Sequence, residues 1–191
     1  MNELFPIFLK VNQLQILLIG GGAVAEEKLH FLLKNSPNAQ VHIVTKTANQ
    51  QVRKYVFDND NVTLEFRGVK LSELKDYQLI IAATNDAILN SRLRQAADQH
   101  QLLLNVADKS QLCDFYLSGV VTKGDLKLAI STNGKSPIMA RRLREFFEAE
   151  LPENLDEIIR ELQQLRLKLN GSFNQKLAVL SELTNQLIHE N

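Results

Sequence analysis

At 191 residues, 45% of them hydrophobic and 23% charged, the chain is of ordinary globular composition and is large enough for one full core plus a smaller appendage. Its single cysteine, Cys113, excludes an intramolecular disulfide and a cysteine-built zinc site, and a reducing cytoplasm is the compartment expected. Lysine plus arginine and aspartate plus glutamate each number 22, so the formal net charge is zero, and no apolar run approaches the roughly 20 residues that span a bilayer. The N-terminus lacks a basic stretch ahead of an apolar one, so the chain reads as soluble and untargeted, with no membrane partner.

The first hundred residues alternate short apolar runs with helical patterns, the signal of βαβ units and a parallel sheet. Gln15–Ile19 reads as a buried strand running directly into Gly20-Gly21-Gly22, with a helix from about Ala23 to Lys34. The turn at residues 35–38 stops that helix ahead of a second strand, Gln40–Thr45. Val62–Phe66 alternates as a third strand, Gln78–Ala83 reads as a fully buried fourth, and a helix over Ala87–His100 leads to a fifth at Leu102–Val106. The fold class expected is α/β: a Rossmann-like parallel sheet over residues 1–112, amounting to half of a doubly wound fold or slightly more.

Beyond Asp108 the pattern changes. Phe115–Val121 and Leu126–Ser131 read as two strands joined by a turn at residues 122–125, as in antiparallel pairing. Residues 113–145 are expected to form a small strand-built segment for dimerisation and substrate contact. Ser136-Pro137 marks a helix start, serine as N-cap and proline in the first turn. Residues 146–191 read as a helical domain: Leu155, Ile158, Ile159, Leu162, Leu165 and Leu169 make one apolar face, Phe173, Leu177, Leu180, Leu183 and Leu187 another, with Gly171 between.

The zero net charge conceals an uneven distribution. Residues 1–108 are neutral, residues 109–144 carry +5 and residues 145–191 carry −5. A basic excess next to a cofactor domain suits an anionic small substrate. Nucleic acid is not expected as a partner, because no aromatic-interleaved basic motif accompanies the excess.

Gly20-x-Gly22-x-x-Ala25 falls between a strong strand and a strong helix, the context in which this motif cradles a dinucleotide. The first glycine permits the tight turn, Gly22 lets the backbone approach a pyrophosphate, Ala25 allows close helix-to-strand packing, and the amides of Gly21, Ala23 and Val24 lie at the helix start where phosphate binds. About 20 residues on, where a ribose-binding carboxylate is expected, stands Thr45-Lys46-Thr47. NAD is the cofactor expected, with NADP left open because Lys46 could accept a 2′-phosphate or simply face solvent. Thr84, Asn85 and Asp86 end the fourth strand at the cofactor edge, where they either touch the cofactor or cap the helix at Ala87.

With these residues placed, the chain resembles the precorrin-2 dehydrogenase family, which includes the N-terminal module of sirohaem synthase and stand-alone forms. The resemblance is carried, in one order, by Leu4-Phe-Pro-Ile-Phe8, Gly20-Gly-Gly-Ala-Val-Ala-Glu-Glu-Lys28, Ala82-Ala-Thr-Asn-Asp86, Asn105-Val-Ala-Asp108, Cys113-Asp-Phe115, Ser131-Thr-Asn-Gly-Lys-Ser-Pro137 and Ala140-Arg-Arg-Leu-Arg144. It implies a cytoplasmic homodimer that oxidises the tetrapyrrole precorrin-2 to sirohydrochlorin with NAD, some members also inserting ferrous iron. Asp108 matches the family's key aspartate, thought to act in proton removal or chelation. Taken alone, an aspartate after a strand reads as a turn former.

The resemblance places Ser131 and Thr132 in the substrate-side segment, with Lys135, Ser136 and Arg141 nearby to meet the carboxylates of the tetrapyrrole; their plain alternative is to end the strand and shape the turn. Two residues depart from the family pattern, Ser118 where proline is frequent and Asn133 where a second glycine is. A non-catalytic nucleotide-binding module is the rival from another class. The histidines are scattered without metal-ligand spacing, so no bound metal is expected. Cys113 reads as a packed small residue rather than a reactive thiol.

Overall fold

A computed structural model describes residues 3–189, in which two compact units meet at the Ser118–Gly119 bond. The first is built on five strands, β1 (Gln15–Ile19), β2 (Gln40–Thr45), β3 (Val62–Phe66), β4 (Leu79–Ala82) and β5 (Leu103–Val106). All neighbours run parallel, in the order β3-β2-β1-β4-β5. The chain builds outward from β1 through β2 to β3, then returns to the other side of β1 for β4 and β5. The β1/β4 boundary is therefore the switch point at which open α/β sheets bind ligands, beyond the strands' C-terminal ends.

Both faces of the sheet are covered, which is why its strands are apolar on successive residues rather than alternate ones. Ile16, Leu18, Ile43 and Ile81 pack with Ala25, Leu29, Leu32 and Leu33 of α1 (Ala23–Asn35) and Val52 of α2 (Gln50–Asp58). Leu17, Ile19, Val44, Ile80 and Leu104 pack on the opposite face with Leu93, Ala96 and Ala97 of α3 (Ala87–His100) and Leu74 of the 3-10 segment Leu71–Asp76. The strands and the helices α1 and α3 lie where periodicity places them to within one residue.

Two elements of this unit are not among those expected from the sequence. In α2 a short stripe, Val52, Tyr55 and Val56, packs on the core while Phe57 is exposed, and the helix starts from a cap, the Asn49 side chain accepting from the Val52 amide. The 3-10 segment replaces a full crossover helix between β3 and β4 and buries Leu74 alone.

Residues 113–118, assigned from sequence to the middle segment, pack with the first unit. The Asp114 amide donates to the Leu104 carbonyl at 2.8 Å, and Asn105 Nδ2 donates to the Phe115 carbonyl at 2.8 Å. Phe115 and Leu117 lie against the core face carrying Ile16 and Leu18. The strand expected over Phe115–Val121 consequently begins only at Gly119: its first residues are engaged edgewise by β5 and by the core.

The second unit opens with an antiparallel hairpin, β6 (Gly119–Lys123) and β7 (Leu126–Ile130), closed by the pair Lys123↔Leu126 around Gly124-Asp125. Gly124 has φ +53°, and a side chain there would collide with Asp156, whose Oδ1 accepts from the Asp125 amide at 3.0 Å. Three helices follow, α4 (Pro137–Glu150), α5 (Leu155–Lys168) and α6 (Phe173–His189). The start expected for α4 is present in full: Ser136 Oγ accepts from the Met139 amide, and Pro137 occupies the first turn, where its missing N–H costs nothing. Among the described residues no helix is long and apolar enough to cross a membrane.

Candidate functional site

The C-terminal edge of the five-stranded sheet collects Gly20–Gly22 after β1, Lys46 and Thr47 after β2, Thr84 and Asn85 after β4, and Asp108 after β5. The three glycines serve different ends. At φ +125°, Gly20 would drive a side chain into the Ala83 carbonyl, so its role is to let β1 and β4 approach at the switch point. Gly21 is buried, and a side chain on it would strike the Thr47 carbonyl. Gly22 has an ordinary backbone (φ −90°), and nothing lies within 4 Å of where its side chain would be. The fold itself does not require glycine there.

Gly22 is also the N-cap of α1 and supplies no capping side chain, so the first-turn amides of Ala23, Val24 and Ala25 have no partner from their own helix. Unpaired N–H groups at a helix start, the positive end of its dipole, and open space over Gly22 fit the pyrophosphate of a dinucleotide. Ala25 is fully buried against the sheet, where a larger residue would lift the helix.

Around the turn, Asn49 links three pieces. Its amide N–H donates to the Gly21 carbonyl at 2.8 Å, its Oδ1 caps α2, and its Nδ2 donates to Glu26 Oε2 of α1 at 2.7 Å. Sequence reasoning passed over this residue; the signal was an N-cap type ahead of the helical spacing of Val52, Tyr55 and Val56. Lys46 is exposed, and Thr47 is tied back through its carbonyl, which accepts from Thr45 Oγ1 at 2.8 Å. On the neighbouring strand end Arg67 grips Glu73 with two parallel bonds, 2.8 and 2.7 Å, and also binds Glu65. These carboxylates raise the Arg67 pKa above its ordinary value. Burial pushes the Glu73 carboxyl up, but the Arg67 and Lys70 bonds outweigh it and leave the carboxyl below its ordinary range.

At the other strand ends, capping accounts for part of the polar cluster. Thr84 Oγ1 accepts from the Asp86 amide at 2.9 Å and Asp86 Oδ1 accepts from the Leu89 amide at 2.9 Å, the N-cap of α3. Asn90, almost fully buried in α3, donates to the Thr84 carbonyl at 3.1 Å and so fixes the strand end from beneath. Asn85 is exposed at the same edge.

Asp108 occupies the left-handed region, φ +59°, in a turn that the Lys109 amide closes onto the Val106 carbonyl at 3.2 Å. Left-handed backbone in a residue other than glycine is uncommon, aspartate being among the types that tolerate it. The turn is clasped by Cys113: its Sγ accepts from the Val106 amide at 3.2 Å and has the Val106 and Lys109 carbonyls within donating reach, each at 3.2 Å. Burial pushes the thiol pKa up, which keeps the donor proton in place. Cys113 is thus a hydrogen-bonding residue as well as a packed one. Asp108 itself is exposed, and among the described residues nothing hydrogen-bonds to or pairs with its carboxylate.

The remaining candidates lie on the second unit. Thr132 Oγ1 donates to the Ser136 carbonyl at 3.0 Å and accepts from the Ser136 amide at 3.1 Å, while Ser131 Oγ accepts from the Asn133 amide at 3.2 Å. These hydroxyls shape the β7–α4 turn, in which Asn133 and Gly134 both have positive φ; asparagine serves there where the family favours glycine. Lys135 is exposed. Arg141 Nε donates to Glu145 Oε1 at 2.8 Å, one helical turn along α4, which raises the arginine pKa and lowers that of the glutamate. Arg144 pairs in the same way with Glu148. A charge count cut at residue 144 severs both pairs, so part of the +5 is balanced within α4 itself. Among the described residues no three potential metal ligands gather.

A family model for NAD(P)-binding domains matches residues 7–119, and one for the sirohaem biosynthesis protein central region matches residues 123–150. Siroheme synthase 1 of Klebsiella pneumoniae is 37% identical over 82% of the chain, and the siroheme synthase of Ruthia magnifica is 32% identical over 91%. The chain spans 32% and 36% of those two proteins. Among solved structures, SirC, a precorrin-2 dehydrogenase, superposes with a TM-score of 0.74 at 24% identity, covering 94% of this chain and 89% of that one, a likeness of fold.

Proposed function

The chain belongs to the precorrin-2 dehydrogenase and sirohaem synthase N-terminal family, and from that premise we propose that it oxidises precorrin-2 to sirohydrochlorin with NAD. The observation that carries the proposal is Asp108: an unengaged carboxylate held in left-handed backbone at the same sheet edge as the glycine turn. Uncommon backbone geometry kept by a dedicated clasp is an expense that function explains better than folding does.

When bound, the nicotinamide supplies hydride acceptance. The chain's own part is to bind and orient: the amides of Gly21–Ala25 hold the pyrophosphate, and Thr84, Asn85, Lys46 and Thr47 border it. The Asp108 carboxylate takes the proton released as the macrocycle loses its hydride, either directly or through a water it orients. Ser131, Thr132, Lys135, Ser136 and Arg141 are assigned to the substrate carboxylates, in keeping with their exposed or half-buried positions on the second unit. We favour NAD over NADP because Arg67, just past the end of β3, is already engaged by the carboxylates of Glu73 and Glu65 rather than open to a 2′-phosphate. We assign the working form to a cytoplasmic homodimer, supported by the sparse burial of the second unit.

Anaerobic incubation of the purified protein with enzymatically generated precorrin-2 tests the proposal, following nicotinamide reduction and sirohydrochlorin absorbance. Turnover with NAD that is lost in Asp108→Ala while NADH still binds is the result expected. A folded protein that binds NADH and turns over with neither NAD nor NADP overturns the enzyme reading and leaves a binding module. Ferrous iron added afterwards reads chelation in the same cuvette.

A further inference from the structure

Asn49 stands where the chain returns from β2 to enter α2, and its three bonds do not all follow from capping. At a plain N-cap, aspartate serves as well as asparagine, since only an acceptor oxygen is used. Here the second half of the amide is also engaged, Nδ2 donating to Glu26 Oε2 at 2.7 Å in a partly buried contact, which an ionised aspartate, having no donor, could not make. Glu26 lies in the first turn of α1, its own N–H bonded to the Gly22 carbonyl at 3.0 Å. A carboxylate in that turn is drawn to the same positive helix end that attracts phosphate.

We infer that Asn49 is a positioning residue of the cofactor cradle: its side chain tethers Glu26 to the start of α2, and its backbone amide holds Gly21, leaving the first-turn amides of α1 to the dinucleotide pyrophosphate. The inference rests on the cofactor reading of Gly20–Ala25. It gives the chain a means of keeping a negative charge near the helix start, where it stabilises the helix, without setting it in competition with the ligand.

The test is a charge exchange read by NADH fluorescence titration and thermal unfolding. N49D keeps the cap on α2 but faces Glu26 with a second carboxylate, and NADH affinity should fall about tenfold with little change in unfolding midpoint. N49D/E26Q restores a donor and acceptor with their roles exchanged, and affinity should return to within about threefold of the wild type. N49S, which keeps a capping oxygen and loses only the tether, covers the case in which N49D fails to fold, and should bind NADH more weakly than the wild type. Wild-type affinity in N49S, or in a folded N49D, overturns the inference while the cofactor reading stands. A folded wild-type protein that binds neither NADH nor NADPH overturns both.

Discussion

The two units differ in how they are held together. In the first, both sheet faces are buried, and the described core runs from Ile16 to Leu104 and Val106 without needing anything from outside. In the second, Val121 is the one buried hydrophobic among the described residues, while Ile138, Met139 and Phe146 of α4 are exposed. Its hairpin is regularly paired and α4 is capped by Ser136, yet its elements bring little apolar surface together. Local signals therefore suffice to form these elements, whereas a hydrophobic core is what would make them a self-sufficient domain.

That contrast is most directly broken by core deletions. Ile81→Ala should cost about 2–5 kcal/mol in urea unfolding, whereas Val121→Ala should cost nearer ~1.5 kcal/mol and affect only the second unit. Equal costs would mean that the second unit carries a core of comparable weight. Separating folding glycines from a ligand glycine sharpens the picture of the first unit. Gly22→Val should leave the unfolding midpoint in place and weaken NADH binding about a hundredfold, since its side chain would fill only the phosphate approach. Gly20→Val should instead unfold the domain, because the left-handed backbone and the Ala83 carbonyl both oppose it.

Phe146→Asp probes the second unit. If a second copy of the chain covers α4, sedimentation should show the variant monomeric at concentrations where the wild type is dimeric, and an unchanged dimer would place the interface elsewhere. The smallest effect concerns the Asp108 turn. Cys113→Ala should cost about 1 kcal/mol at neutral pH and lower kcat more than it raises KM. Because burial raises the native thiol pKa above its ordinary 9.0, the thiol's contribution is present below that pH and is lost as pH rises through the native value. The wild type should lose stability in that alkaline range, and the alanine variant should not lose this part of it.

Legibility followed the physical origin of each feature. Strands β1 to β5 and helices α1 and α3 were visible because burial on both sheet faces imposes apolar runs that survive without context. Helix α2 was passed over because it is only nine residues long, its helical spacing resting on three residues, Val52, Tyr55 and Val56, behind the cap at Asn49. Residues 115–118 look like strand by composition, but the chain entering them is held by β5 ten positions back, Asn105 donating to the Phe115 carbonyl and the Leu104 amide to the Asp114 carboxylate. The charge excess of residues 109–144 was countable, but its pairing within α4 was not, because the boundary of the count fell between arginines and the glutamates one turn later.

What the sequence by itself determined is the sheet, the dinucleotide turn and the family, all of which depend on local order: strand, glycines, helix, and short motifs in one succession. What only the tertiary structure decided is the division of labour within the site. Gly20 serves the approach of two strands and Gly22 leaves room for a ligand, Cys113 clasps the turn that presents Asp108, and Asn49 joins α1 to α2. Each of these depends on atoms brought together across the sheet edge, and hydrogen bonds between groups distant along the chain leave no periodicity for a sequence to display.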